Sequence, residues 1–89
     1  MSELEVQIVN RLGLHARAAA LFVHLANQFE SVISVNKDGS RVDGKSILGL
    51  LTLAAAKGSR LRLTADGADE SQALQELQQM IRERFGEDE

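Results

Sequence analysis

The chain has 89 residues, 44% hydrophobic and 26% charged, which fits a soluble globular domain with one small core, so a single domain over residues 1–89 is expected. It has no Cys, no apolar run near the roughly 20 residues that cross a bilayer, and no signal-like start in Met1-Ser2-Glu3-Leu4-Glu5. Disulfides, thiol chemistry and Cys-type zinc sites are thereby excluded, and a cytoplasmic protein without membrane insertion is expected. The net charge of −3 is uneven, since residues 1–65 carry eight Lys/Arg against five Asp/Glu and residues 66–89 carry two against eight, which suits the front of the molecule to an acidic partner.

Leu4, Val6 and Ile8 alternate with Glu5, Gln7 and Val9, the period of a half-buried strand over about residues 2–9. Asn10-Arg11-Leu12-Gly13-Leu14 breaks the pattern. From Ala16 to about Asn27, Ala18, Phe22, Leu25 and Phe29 recur at spacings of three and four, with Leu21 and Ala26 widening the face. This predicts an amphipathic helix with His15 at its mouth. Ile33 and Val35 resume the alternation, Asp38-Gly39 supplies a tight hairpin, and Arg41-Val42-Asp43 returns as a short strand.

Ser46 is placed to cap a short helix over Ile47-Leu48-Gly49-Leu50-Leu51-Thr52-Leu53, with Lys57-Gly58 as its stop signal. Arg60, Arg62 and Thr64 alternate with Leu61, Leu63 and Ala65 as a fourth strand. Asp69 and Gln72 read as a capping-box variant opening a last helix, which carries Ala73, Leu74, Leu77, Met80, Ile81 and Phe85 on one face. The order strand, helix, strand, strand, helix, strand, helix implies one sheet with helices on one side and solvent on the other. No repeat or linker is visible, and there is no Pro.

His24 lies in mid-helix with no carboxylate or second ligand placed beside it, and reads as an ordinary helix residue. His15 differs in kind. It stands where unpaired N–H groups and the positive end of a helix dipole converge, which disfavours imidazolium and leaves a neutral, nucleophilic ring nitrogen. The same N–H groups suit the oxygens of a phosphoryl group on that ring, and Arg17 adds a fixed positive charge with forked donors. The plain alternative is that His15 is an unusual helix cap and Arg17 a solvated side chain.

The string Asn10-Arg11-Leu12-Gly13-Leu14-His15-Ala16-Arg17-Ala18-Ala19 closely resembles the active-site motif of the HPr family, the histidine-containing phosphocarriers of the bacterial phosphoenolpyruvate-dependent phosphotransferase system. Lys45-Ser46-Ile47-Leu48-Gly49-Leu50-Leu51-Thr52-Leu53 resembles the family's regulatory serine motif. Ala56-Lys57-Gly58 and Gly67-Ala68-Asp69-Glu70 also match, so the likeness covers essentially the whole chain. It implies an α/β (α+β) fold, a two-layer open-faced β-sandwich of order βαββαβα, with a four-stranded antiparallel sheet ordered 1-4-2-3 and three helices on one face. It further implies that enzyme I passes a phosphoryl group to Nδ1 of His15, that Arg17 and the N–H groups of Ala16 and Arg17 stabilise it, and that IIA-type proteins receive it. The family's usual Pro after the Arg is Ala18 here, which loosens the first helical turn and adds a donor.

Ser46 is explained as a cap, and the resemblance adds phosphorylation by an HPr kinase/phosphorylase, with a transcriptional regulator as a possible partner. The helix from Ile47 has more apolar side chains than one face can bury. Leu50 and Leu53 are expected inside, while Ile47, Leu48 and Leu51 with Ala20 and Leu21 form a docking patch rimmed by Arg17, Lys45 and Arg11. Gly49 and Thr52 belong to the same partner-binding face.

A phosphocarrier rather than an enzyme is thus expected, monomeric and without metal or organic cofactor. Three alternatives remain open: a nitrogen-related branch of the family, a regulatory module acting through Ser46 with His15 idle, and an unrelated ligand- or RNA-binding domain. Nucleic acid is not an expected partner. Phe22, Phe29 and Phe85 all fall at helical core spacings, leaving no aromatic for base stacking, and the basic excess is thin.

Overall fold

In the computed structural model, which describes residues 1–89, the first strand, β1, spans Ser2–Gln7 and the first helix, α1, spans Ala16–Ala26. The hairpin β2 (Val32–Lys37) and β3 (Ser40–Asp43) follows, then α2 (Ile47–Thr52), β4 (Arg60–Asp66) and α3 (Glu70–Arg82), with a final 3-10 turn over Arg84–Gly86. The strands form one antiparallel sheet in the order β1-β4-β2-β3. This is the topology the resemblance implies.

Register follows from the alternation in the sequence. Leu4 pairs with Leu63 and Val6 with Leu61, while Val35 pairs with both Leu63 and Val42, so apolar positions meet apolar positions on the covered face. On the open face Glu5 pairs with Arg62, and its carboxylate takes a diagonal ion pair from Arg60 at 3.2 Å. Asp38 and Gly39 both take positive φ, at 51° and 88°, the conformation a two-residue hairpin turn needs.

The covered face joins the helices in one apolar cluster that includes Phe22, Ile33, Leu50, Leu61, Leu63, Leu77 and Ile81. On α1 the buried stripe is Ala18, Ala19, Phe22, Val23 and Ala26; Leu25 is half-buried and Leu21 faces out. The predicted face was therefore rotated by about one position, because α1 also packs against α2 and α3. Leu50 and Leu53 are buried as expected.

Three local expectations give way. The helix α2 stops at Thr52, with Leu53 as its C-cap and Ala54 at φ 50°, rather than at Lys57-Gly58, whose Gly58 instead turns the chain into β4. Asp69 occupies the N-cap of α3 but makes no side-chain cap bond. Its carboxylate accepts from the backbone N–H groups of Glu30 and Ser31 and from the Ser31 hydroxyl, while Gln72 donates to Glu76. Phe85 is buried, yet not on the helical face: α3 ends at Arg82, and Arg84 and Phe85 take φ of 57° and 55°. That left-handed turn anchors Phe85 in the core and reverses the chain.

Candidate site at the start of the first helix

The segment between β1 and α1 is fixed before His15 is reached. Asn10 is fully buried, and its Nδ2 donates to the Gly13 carbonyl at 2.8 Å, tightening the turn. Gly13 takes φ +69° and lies against Ala55, whose carbonyl accepts from the Leu14 N–H at 2.8 Å. His15 then adopts extended backbone, φ −77° and ψ 178°, as the N-cap of α1, and its carbonyl accepts the first helical bond from the Ala19 N–H. The N–H groups of Ala16, Arg17 and Ala18 occupy the open first turn, where a helix has no internal partners for them. With Ala18 in place of Pro the helix still begins at Ala16, and Ala18 is fully buried.

The His15 ring makes no cap bond. Its Nε2 meets Oε2 of Glu87 at 2.5 Å, a partner 72 residues on. Oε1 of Glu87 accepts from Asn10 Nδ2 at 3.0 Å, and Arg11 holds the same tail twice, through its N–H to the main-chain oxygen of Glu89 and its Nε to the Glu89 side-chain carboxylate. The Asn10 amide, followed by His15, holds the Glu87 carboxyl below the usual carboxylate range. Arg11, Arg17, His15 and the last three residues line an open pocket of about 210 Å³. The acidic tail escaped sequence reasoning as a site element; the signal was the split between a basic front and an acidic end.

The other predicted site residues lie on α1 and on or just before α2. Leu12, Leu14 and His15 share a second depression with Ala54, Ala55 and Ala56, which puts the C-terminal end of α2 beside the histidine. Ser46 caps the opposite end, six residues of helix or about 9 Å of axis away, its Oγ accepting from the Gly49 N–H at 3.0 Å. Thr52 is exposed and donates its hydroxyl to the Gly49 carbonyl. Ala20, Leu21, Ile47, Leu48 and Leu51 are all exposed, Leu48 by 74%, and Leu12, at 57%, extends the apolar surface toward His15. Lys45 is half-buried, and its Nζ donates to the Phe29 carbonyl at 2.8 Å, tying the segment that follows α1 to the start of α2. His24 is exposed on α1, and no group of three or more His, Asp or Glu gathers at a metal-like point.

A small α/β domain that holds a partly exposed histidine at an open helix start, with an arginine two residues on and no metal cluster, has the form of a histidine phosphocarrier. The family model for the PTS HPr component phosphorylation site matches residues 2–83. The phosphocarrier protein HPr of Neisseria meningitidis serogroup B is 51% identical over 89 residues, all of both chains. The crystal structure of HPr-C-His from Thermoanaerobacter tengcongensis superposes with a TM-score of 0.96 at 44% identity, covering all of both chains. An HPr dimer from the same organism matches at 0.79 and 45%, over 98% of this chain and 100% of that one. The chain belongs to the HPr family of phosphotransferase-system phosphocarriers.

Proposed function

We propose that the chain accepts a phosphoryl group from enzyme I on Nδ1 of His15 and passes it to IIA-type proteins. The observation that carries the reading is the placement of His15: its ring is free of capping duty, Nε2 is already bonded to Glu87, and Nδ1 remains for attack. Arg17 and the open N–H groups of Ala16 and Arg17 supply charge and donors for the arriving phosphoryl oxygens. An exposed site on one helix turn holds its cargo weakly, which suits a carrier that must release it.

The exposed apolar side chains of α1 and α2 support docking by both partners, with Arg11 and Arg17 steering acidic surfaces toward His15. Ser46 is the proposed site of regulatory phosphorylation by an HPr kinase/phosphorylase, with a transcriptional regulator as a reader. A phosphate at that cap keeps the helix and adds charge to the docking face. A cytoplasmic monomer completes the reading, and sedimentation checks the oligomeric state. Fold and apolar patch serve the sugar-transport and nitrogen-related branches equally.

The test is incubation with enzyme I and labelled phosphoenolpyruvate. Acid-labile, base-stable label that is lost in His15→Ala supports the carrier. A folded wild-type chain that takes no label from competent enzyme I overturns it and leaves Ser46 as the functional group.

A further inference from the structure

The imidazole of a histidine offers one nucleophilic nitrogen at a time, and what the other nitrogen bonds decides which. Glu87 is an acceptor-only group against Nε2, so the proton belongs on Nε2 and the lone pair on Nδ1. We infer that Glu87 is the positioning residue of the relay: it sets the His15 tautomer and supplies the counter-charge for the cation the ring becomes on phosphorylation. The inference rests on His15 being the acceptor.

The step balances without moving a proton. The Nδ1 lone pair forms the bond to phosphorus, the bond from phosphorus to the donor's leaving atom breaks, and that electron pair stays with the donor. The ring, which keeps its Nε2–H, gains one positive charge, which the Glu87 carboxylate faces directly. Onward transfer returns the pair to Nδ1, and the ring is neutral again. The arrangement is that of an orienting carboxylate behind a catalytic imidazole, with the imidazole itself as the nucleophile.

The surrounding structure is built to hold Glu87 there. The left-handed turn at Arg84 and Phe85, with Phe85 buried, sends the tail back across the start of α1. Asn10, itself fully buried, donates to the carboxylate and keeps it anionic, and Arg11 clamps Glu89 beyond it. The charged groups facing His15 are Arg11 from the segment after β1, Arg17 from α1, and Glu87, Asp88 and Glu89 from the tail. The wall contributed after α2 is alanine only.

Wild type, Glu87→Gln, Glu87→Ala and His15→Ala are compared using phosphoramidate, a small donor that needs no docking surface, with ¹⁵N spectra of the imidazole. The expected wild-type ring is the Nε2–H tautomer. Glu87→Ala mixes the tautomers and slows phosphorylation at least about tenfold. Glu87→Gln keeps the tautomer, because its carbonyl still accepts from Nε2–H, but the pH at which the phosphorylated chain loses its label drops by about one unit. Wild-type tautomer and wild-type pH profile in both Glu87 variants overturn the inference. Label that His15→Ala accepts from enzyme I and phosphoenolpyruvate overturns the underlying carrier reading instead, and is recognised without reference to Glu87; enzyme I is used for this arm because phosphoramidate also reaches the exposed His24.

Discussion

Gly13 approaches Ala55 so closely that a Cβ on residue 13 would lie 2.5 Å from the Ala55 carbonyl oxygen. That carbonyl also accepts from the Leu14 N–H, so the contact sets the position of the residue before His15. Gly13→Ala meets both a positive φ and a backbone oxygen that cannot retreat without breaking this bond. The expected cost is about 2 kcal/mol, roughly 10 °C in Tm for a domain of this size, with slower phosphorylation of His15. Thermal unfolding and phosphoramidate labelling check it, and an unchanged Tm would show that the two segments part easily.

Asp69 ties the end of the α1 connection to the start of α3. The Ser31 hydroxyl, then the Glu30 N–H, hold its carboxyl below its ordinary value of 3.8. A depressed folded pKa gives stability that is whole above the unfolded value and is lost as pH falls through the folded one. Asp69→Asn is therefore expected to be less stable than wild type at neutral pH, with the gap constant down to about pH 4.5 and closing below 3.8. Urea unfolding at pH 7 and pH 3 measures the gap; an equal gap at both would assign the loss to packing.

The parts of the fold written in short-range patterns were legible. Alternation fixed the strands and their inward faces, Asp38-Gly39 fixed the hairpin, and Ser46 fixed the start of α2. Residues that serve a distant segment were not. Asp69 has the spacing of a cap but bonds the Ser31 turn, 38 residues away. Ala54 carries no mark of the left-handed conformation that ends α2 early. Within the site, the chemistry of a helix start marked His15 and Arg17 as candidates and the resemblance of the surrounding motif supplied the roles proposed for them, whereas Glu87 reaches the ring only through the Phe85 turn.

Ser46→Ala removes an acceptor for the Gly49 N–H and is expected to cost about 1 kcal/mol, while Ser46→Asp keeps a capping oxygen and suits the helix dipole. The two variants thus separate stability from recognition. Ser46→Asp is expected to unfold like wild type, yet accept phosphoryl from enzyme I more slowly because its charge lies on the docking face. Equal rates for Ser46→Asp and wild type would make the serine a cap alone.

Leu48 and Leu50 stand two residues apart on α2 and face opposite ways, one 74% exposed and the other fully buried. Leu50→Asp places an unpaired carboxylate in the core and is expected to unfold the chain. Leu48→Asp is expected to stay within about 0.5 kcal/mol of wild type and to accept phosphoryl normally from phosphoramidate, which touches only the His15 region. With enzyme I it is expected to raise KM about tenfold at nearly unchanged kcat, the signature of lost docking rather than lost chemistry. Steady-state transfer measured with both donors decides the matter: a defect with phosphoramidate would mean Leu48 acts on the site itself, and no defect with enzyme I would remove α2 from the docking surface.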